Sequence, residues 1–355
     1  MIKILHSADW HMDAPMGGFS QEQRRQLRKE MLAVPGKIAA VCREEGCHLV
    51  LLSGDLFDSH SYTEETVEAM KAAFAEMAVP VFISPGNHDF YSENSPWFKE
   101  EWPENVFLFK KQSISAFRLP SLNCRIYGAA FTGMDCPGLL EGFSAKGSEQ
   151  YALMVLHGDP TAPNSAYCPV TGAQVRASGL DYLALGHIHA PGRFGPGGGM
   201  CAWPGCPMGH GYDETGVKGV LIVELEQRAE LRFVPLDTPR FYDLEVPGGE
   251  NPEEAVAKAL PEGGSADYYR ITLTGDGPKP DLTSMSRRFA AYPNLKLRDK
   301  TSRKSDLWEN AGEDSFEGIY FRLLRDAMLS PAAADAELAA KLSRQILKGQ
   351  EVVLP

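Results

Sequence analysis

Short apolar runs and amphipathic stretches alternate along the first part of the chain. Residues 2–6, 48–52 and 79–84 are brief runs rich in Leu, Ile and Val, and each predicts a buried strand. Between them apolar residues recur at helical spacing. Leu27, Met31, Val34, Ile38 and Val41 follow a capping-box pattern at Ser20 to Gln23, and Val67, Met70, Phe74 and Met77 stripe residues 64–77. Pro35 falls inside the first helix and predicts a kink. This β-α-β-α-β order predicts adjacent parallel strands with right-handed crossovers. Past residue 105 strands dominate, at 106–109, 113–118, 124–129, 152–157 and 181–185. The segment 190–216 is rich in Gly and Pro (Pro196-Gly-Gly-Gly199, Pro204-Gly-Cys-Pro207) and predicts loop throughout. Residues 217–225 and 229–236 read as a closing hairpin. The expected fold is α/β, a β-sandwich of two sheets flanked by helices.

The texture changes near residue 240. Strands at 241–246, 268–274 and 294–298 alternate with helices at 251–260 and 282–290, a separate small α/β unit. Two helices close the chain. The first spans 315–328 and carries Phe316, Ile319, Tyr320, Leu323 and Leu324. The second starts at N-cap Ser330, with Pro331 at its first helical position, stops at Gly349, and has the stripe Leu338, Leu342, Ile346. The expected division is 1–238, 239–305 and 306–355.

Composition narrows the function. At 355 residues and 43% hydrophobic, the chain can bury a large core. No secretory h-region opens it and no apolar run reaches membrane-span length, so a cytoplasmic location without a membrane is expected. The seven cysteines are scattered and none forms a C-x-x-C pair, which predicts free thiols. The net charge of -12 argues against a free-standing DNA binder, because phosphate contacts need local positive charge. One stretch runs the other way. Arg287, Arg288, Lys296, Arg298, Lys300, Arg303 and Lys304 face only Asp299 as a counter-charge. A solvated basic face and a nucleic-acid contact both account for it.

The candidate chemistry lies in five motifs, each just past a predicted strand. They supply Asp9 and His11 (Ser-Ala-Asp-Trp-His), Asp55 (Ser-Gly-Asp-Leu-Phe-Asp) and Asn87 (Pro-Gly-Asn-His-Asp), then His157 (Leu-His-Gly) and His187 with His189 (Gly-His-Ile-His). Loops at the carboxyl ends of strands are where open α/β sheets keep their sites. Mixed oxygen and imidazole donors suit Mn²⁺, Fe²⁺ or Zn²⁺. Asp55 is the natural bridge between two cations about 3.5–4 Å apart. Asp9, His11 and His189 would complete one cation, and Asn87, His157 and His187 the other. Two such cations acidify water and neutralise phosphate oxygens, which points to phosphate-ester hydrolysis. His88 is placed as general acid for the leaving oxygen. Asp58 reads either as an orienter of His88 or as a loop-capping carboxylate. Asp89 reads as a turn or cap residue. His6, His48, His60 and His210 read as structural or surface groups.

These motifs resemble the calcineurin-like metallophosphoesterase superfamily over residues 1–235. Within it, His6-Ser-Ala-Asp-Trp-His11, Ser53-Gly-Asp-Leu-Phe-Asp58, Ala184-Leu-Gly-His-Ile-His189, Trp203-Pro-Gly and Lys218-Gly-Val-Leu-Ile-Val-Glu224 resemble SbcD-type DNA repair exonucleases. The resemblance implies a two-sheet sandwich with two Mn²⁺, exonuclease and endonuclease activity on DNA, and a homodimer. It also implies that the unit after 240 is a capping domain steering DNA, and that a partner ATPase of the SbcC type binds the C-terminal helices. Packing on the capping unit alone is the other reading of those helices. Some relatives carry a second His where this chain has Asp58.

Three functions compete. A DNA nuclease working with an ATPase uses every segment. A different phosphoesterase on the same site is the second. Its cyclic-nucleotide or other small-molecule phosphodiesterase form fits the motifs but leaves 240–355 without a task. Its phosphoprotein phosphatase form is disfavoured, because Asp58 is followed by Ser59-His60 rather than Arg-Gly. The third, a catalytically silent scaffold, conflicts with the complete donor set.

Overall fold

Runs that are apolar at every position are stable as strands only when both faces are covered. The computed structural model, which describes residues 1–194, 200–302, 307–347, 349 and 352, shows how. Pro196-Gly-Gly-Gly199, Arg303, Lys304 and the expected boundary at 305/306 lie outside the described residues.

The chain runs β1 (Ile2–Ser7), α1 (Gln21–Glu44), β2 (Leu49–Leu52), α2 (Glu64–Met77), β3 (Val81–Ile83), α3 (Pro96–Lys99) and β4 (Val106–Leu108). Then come β5 (Ser115–Leu119), β6 (Cys124–Gly128), β7 (Tyr151–His157), α4 (Gly172–Ala177) and β8 (Tyr182–Gly186). They are followed by β9 (Gly192–Arg193), β10 (Cys201–Trp203), β11 (Gly219–Leu225) and β12 (Ala229–Pro235). One six-stranded sheet is ordered β12-β11-β1-β2-β3-β4, the other β5-β6-β7-β8-β10-β9. Strands β1 to β4 are parallel, and the β11–β12 hairpin joins β1 antiparallel.

The period of two along each strand sorts the side chains. Ile4, Leu49, Leu51 and Phe82 meet Ile126, Leu153, Val155 and Tyr182 in a core between the sheets. Leu5, Val50, Leu52 and Val81 point the other way, onto the apolar stripes of α1 and α2. Met154, Leu156, Leu183 and Leu185 cover the outer side of the second sheet. Truncating one such residue, Leu51→Ala for example, costs about 2–5 kcal/mol.

Helix α1 opens with the expected capping box between Ser20 and Gln23 and runs unbroken across Pro35. The Gly- and Pro-rich segment departs from expectation: it is not all loop. Strand β10 pairs in parallel with β8 through Cys201↔Leu183 and Ala202↔Ala184, and β9 pairs with β10. Strands of two or three residues carry no readable period. The open edge of β8 recruits them.

The chain clusters into two compact units, residues 1–243 with 266–270 and 292–294, and residues 244–265, 271–291 and 295–355. A third sheet, β13 (Phe241–Pro247), β14 (Tyr268–Thr274) and β15 (Leu295–Asp299), has α5 (Pro252–Ala259) and α6 (Leu282–Arg288) between its strands. Helices α7 (Phe316–Ala327) and α8 (Ala333–Leu347) follow, the latter starting two residues after Pro331. Their faces differ in part from the predicted stripes, although Leu324 packs against the buried cluster of the pair. Gly318 and Phe321 are buried on α7, and Ala336, Ala340 and Arg344 on α8. Small residues let the two helices approach, and the Arg344 guanidinium lies 3.7 Å from the Phe321 ring centroid. Phe316, Ile319, Leu323 and Ile346 are left exposed. Among the described residues no helix is long and apolar enough to cross a membrane.

Candidate metal centre

The loops after β1, β2, β3 and β8, with the last residue of β7, converge at one place. They carry Asp9 and His11, Asp55, Asn87 and His88, His187 and His189, and His157. Asp9, His11, Asp55, Asn87 and His157 are buried, while His187 and His189 are half-buried.

Holding these groups requires unusual backbone. Asp9, His11, Asp55 and His187 have φ of 54°, 46°, 50° and 94°, a region that residues other than glycine rarely enter. The main chain over-determines it. Asp9 N–H donates to Gly54 O at 3.0 Å, His11 N–H to Asp55 O at 3.0 Å and Met12 N–H to Leu56 O at 2.9 Å, zipping the β1 loop onto the β2 loop. The buried Asp89 carboxylate accepts from Gly86 at 2.7 Å, Leu56 at 2.9 Å and Asp55 at 3.2 Å, which clamps the β2 and β3 loops. Asp9 accepts the His187 N–H at 2.8 Å and so ties in the β8 loop. Glycine supplies the remaining room: a Cβ at Gly86 would collide with the Asp55 carboxylate.

The donors form two clusters, Asp9 with His11 and His189, and Asp55 with His157 and His187, each with its ligand atoms within 4.8 Å of one another. Asp55 Oδ2 stands between them, 3.3 Å from His157 Nε2 and 3.8 Å from His11 Nε2. Asn87 Oδ1 lies 3.0 Å from His157 Nε2, beside the second cluster. The Nε2 atoms of His11 and His189 face each other at 3.1 Å. Nitrogen and oxygen donors with converging lone pairs fit a pair of divalent cations.

Electrostatics follow from burial and proximity. Burial opposes the charge of Asp55, but the surrounding imidazoles outweigh it and hold the carboxyl below its usual range. Burial likewise opposes protonation of His157, yet Asp55 pulls it up to about 9. His11 also rises to about 9, against burial, through Asp58 and Asp55. His187, desolvated and beside His157, falls to about 4.

His88 sits at the open side of the site with 41% of its side chain exposed. Its Nδ1 donates to the main-chain carbonyl of Asp58 at 2.9 Å, while the Asp58 carboxylate is 3.7 Å away. That carboxylate instead engages His11 Nδ1 at 3.2 Å. Asp58 therefore reaches both rings, and reaches His88 through its main chain. Among the histidines read as structural, His6 is buried and bonded to Tyr182, Ser53 and Leu185. His48 accepts from Lys3, and His60 meets the Phe90 carbonyl. His210 differs, since its ring stands 5.7 Å from that of His11. Glu214, which no motif singles out, binds the Nδ1 atoms of both His189 and His210. Burial would raise its carboxyl, but these two bonds hold it far below the usual range. The one trace in the sequence is the four-residue spacing from His210, which in a loop has no periodic meaning.

A two-sheet α/β sandwich with two donor clusters at its strand ends defines a metallophosphoesterase. The profile of the calcineurin-like phosphoesterases matches residues 2–191, and the chain belongs to that family. It is a metal-dependent phosphoesterase. Among curated proteins it is 29% identical to the metallophosphoesterase YhaO of Bacillus subtilis over 240 residues, covering 63% of this chain and 57% of that one. It is 22% identical to the SbcD component of the nuclease SbcCD of Staphylococcus epidermidis over 334 residues, covering 83% of this chain and 84% of that one. Among solved structures a dimetal phosphatase from Danio rerio aligns at a TM-score of 0.45 and 15% identity, over 66% of this chain and 96% of that one.

Proposed function

We propose that the protein is a two-metal-dependent DNA exonuclease and endonuclease that hydrolyses phosphodiester bonds in DNA repair, together with an SbcC-type ATPase. One observation carries the reading. Two donor clusters astride Asp55 occur in a chain similar to a nuclease component over 84% of that component's length.

In this reading Asp9, His11, His189 and Asp55 hold one cation, and Asn87, His157, His187 and Asp55 the other. Mn²⁺ is the expected ion, with Fe²⁺ or Zn²⁺ as alternatives. The cations supply an acidified water and neutralise the phosphate oxygens. His88, anchored at Nδ1, presents Nε2 to the leaving oxygen as general acid, worth about 10²–10⁴-fold in rate. Asp58 is a positioning residue for His11 and His88.

The remaining assignments rest on surfaces. Residues 239–305 act as a capping domain. Lys296 and Arg298 alternate outward along β15 and Lys300 follows in step, with Arg287 also exposed, a row open to phosphate contact, whereas Arg288 is ion-paired with Glu253. Residues 306–355 dock the ATPase through the exposed apolar side chains of α7. A homodimer and a cytoplasmic location complete the proposal.

The test is cleavage of end-labelled linear double-stranded DNA with Mn²⁺, beside Asp55→Ala and a small phosphodiester. Asp55-dependent DNA degradation supports the nuclease. Turnover of the small substrate alone, persisting after the candidate ATPase is added, supports a small-molecule phosphodiesterase instead.

A further inference from the structure

Glu214 belongs to none of the five motifs, yet it closes onto the metal centre. Only 12% of its side chain is exposed. One carboxylate oxygen takes the Nδ1–H of His189. The other accepts from His210 twice, from Nδ1 at 2.8 Å and from the main-chain N–H at 2.7 Å. His210 is itself pinned, its Nε2 lying 3.2 Å from the Trp10 carbonyl oxygen. The carboxylate is thus anchored on its far side and reaches the centre at the ring of His189, in a group that also brings Cys206 Sγ within 4.8 Å.

That contact has a chemical consequence. A carboxylate at Nδ1 keeps the proton on that nitrogen and leaves the Nε2 lone pair free to bind a cation. Nε2 is aimed into the first cluster, 3.1 Å from His11 Nε2. The same segment also holds the main chain of His189, whose carbonyl accepts from Cys206 N–H at 3.2 Å and Lys218 Nζ at 3.4 Å. The second cluster is backed differently. His157 leans on a neutral carbonyl, that of Ser53, at 2.8 Å. A charged acceptor polarises the ring more strongly and makes it the better donor.

We infer that Glu214 is a positioning residue that fixes the tautomer and direction of His189 and so sets the affinity of the Asp9–His11–His189 cation position, touching neither cation nor substrate. The inference rests on the two-cation reading above and adds a selectivity to it: loss of Glu214 weakens one cation position and spares the other.

The test is a Mn²⁺ titration of the full chain, with free Mn²⁺ read by its electron paramagnetic resonance signal, which needs no substrate. The wild type is expected to take up two equivalents. Glu214→Ala is expected to weaken one of them by about 10–100-fold and leave the other unchanged. Glu214→Gln retains an oxygen for the Nδ1–H without the charge and is expected to fall between the two. Metal-free thermal melting reports folding. If Glu214→Ala does not fold, the Gln variant decides, and weakening confined to one equivalent supports the inference. Two equivalents at wild-type affinity in a folded variant overturn it, as does equal weakening of both. A wild type that takes up no pair of Mn²⁺ defeats the two-cation reading itself.

Discussion

His157 and Asp55 face each other, Nε2 to Oδ2, at 3.3 Å, and the far nitrogen of the ring donates to the Ser53 carbonyl at 2.8 Å. Both atoms of the facing pair belong to the proposed metal centre, so in the metal-free protein the carboxylate holds a proton on the ring. Burial would lower the pKa of His157, but Asp55 lifts it to about 9. Coordination needs the Nε2 lone pair, so cation uptake expels that proton. Affinity should therefore rise with pH and level off above about 9. Calorimetric Mn²⁺ titrations near neutral pH, in buffers of different ionisation enthalpy, should give different heats. Buffer-independent heats would show that the ring is already neutral.

His88→Ala should slow hydrolysis by about 10²–10⁴-fold while leaving metal content near normal. The ring is held at Nδ1 by the Asp58 carbonyl, packs edge-on against His11 with centroids 4.6 Å apart, and keeps 41% of its side chain exposed. Metal content by elemental analysis, measured beside turnover, separates the two roles. A variant that loses its metal would make His88 a ligand.

Gly86→Ala should empty the site without unfolding the protein. The added Cβ would strike Asp55, whose carboxylate accepts the His88 N–H at 2.9 Å and stands between both clusters. Displacing Asp55 removes the proposed bridge and strains the Asp89 clamp beside it. Normal circular dichroism with lost metal uptake is the expected result. Full metal uptake would show that the loop has room to yield.

Much of this is legible in the sequence because strand ends are legible. Each converging residue follows an apolar run, and parallel strands necessarily bring their carboxyl ends to one side. Helix α2 runs Glu64–Met77 around its predicted stripe, opened by the Thr63 side-chain cap and closed by Ala78 in the left-handed region. What escapes has no period. Strands β9 and β10 exist only because β8 offers an edge. Glu214 reaches His189 across a loop. Asp58 meets His88 through its carbonyl, which no residue type encodes. The inward faces of α7 and α8 differ in part from the predicted stripes because Leu and Phe outweigh Gly and Ala in a hydrophobic pattern. In close helix pairs the small residues are the ones that meet.

The large residues that α7 leaves outside have a consequence of their own. Phe316, Ile319 and Leu323 are 89%, 46% and 64% exposed, while Phe321 is buried. Helices that merely packed on neighbouring structure would hide such residues, and clustered exposed apolar side chains mark partner surfaces. The double substitution Ile319→Asp, Leu323→Asp replaces surface side chains, so it should leave the fold within about 0.5 kcal/mol per site. It should also leave Asp55-dependent hydrolysis of a small phosphodiester unchanged, because neither residue belongs to the donor groups at the centre, which lie between Asp9 and Glu214. Complex formation with the ATPase should be lost, read as separate elution of the two proteins after co-expression. Intact co-elution would remove this face from the docking surface. A fall in small-substrate turnover would instead mean that α7 supports the catalytic unit directly.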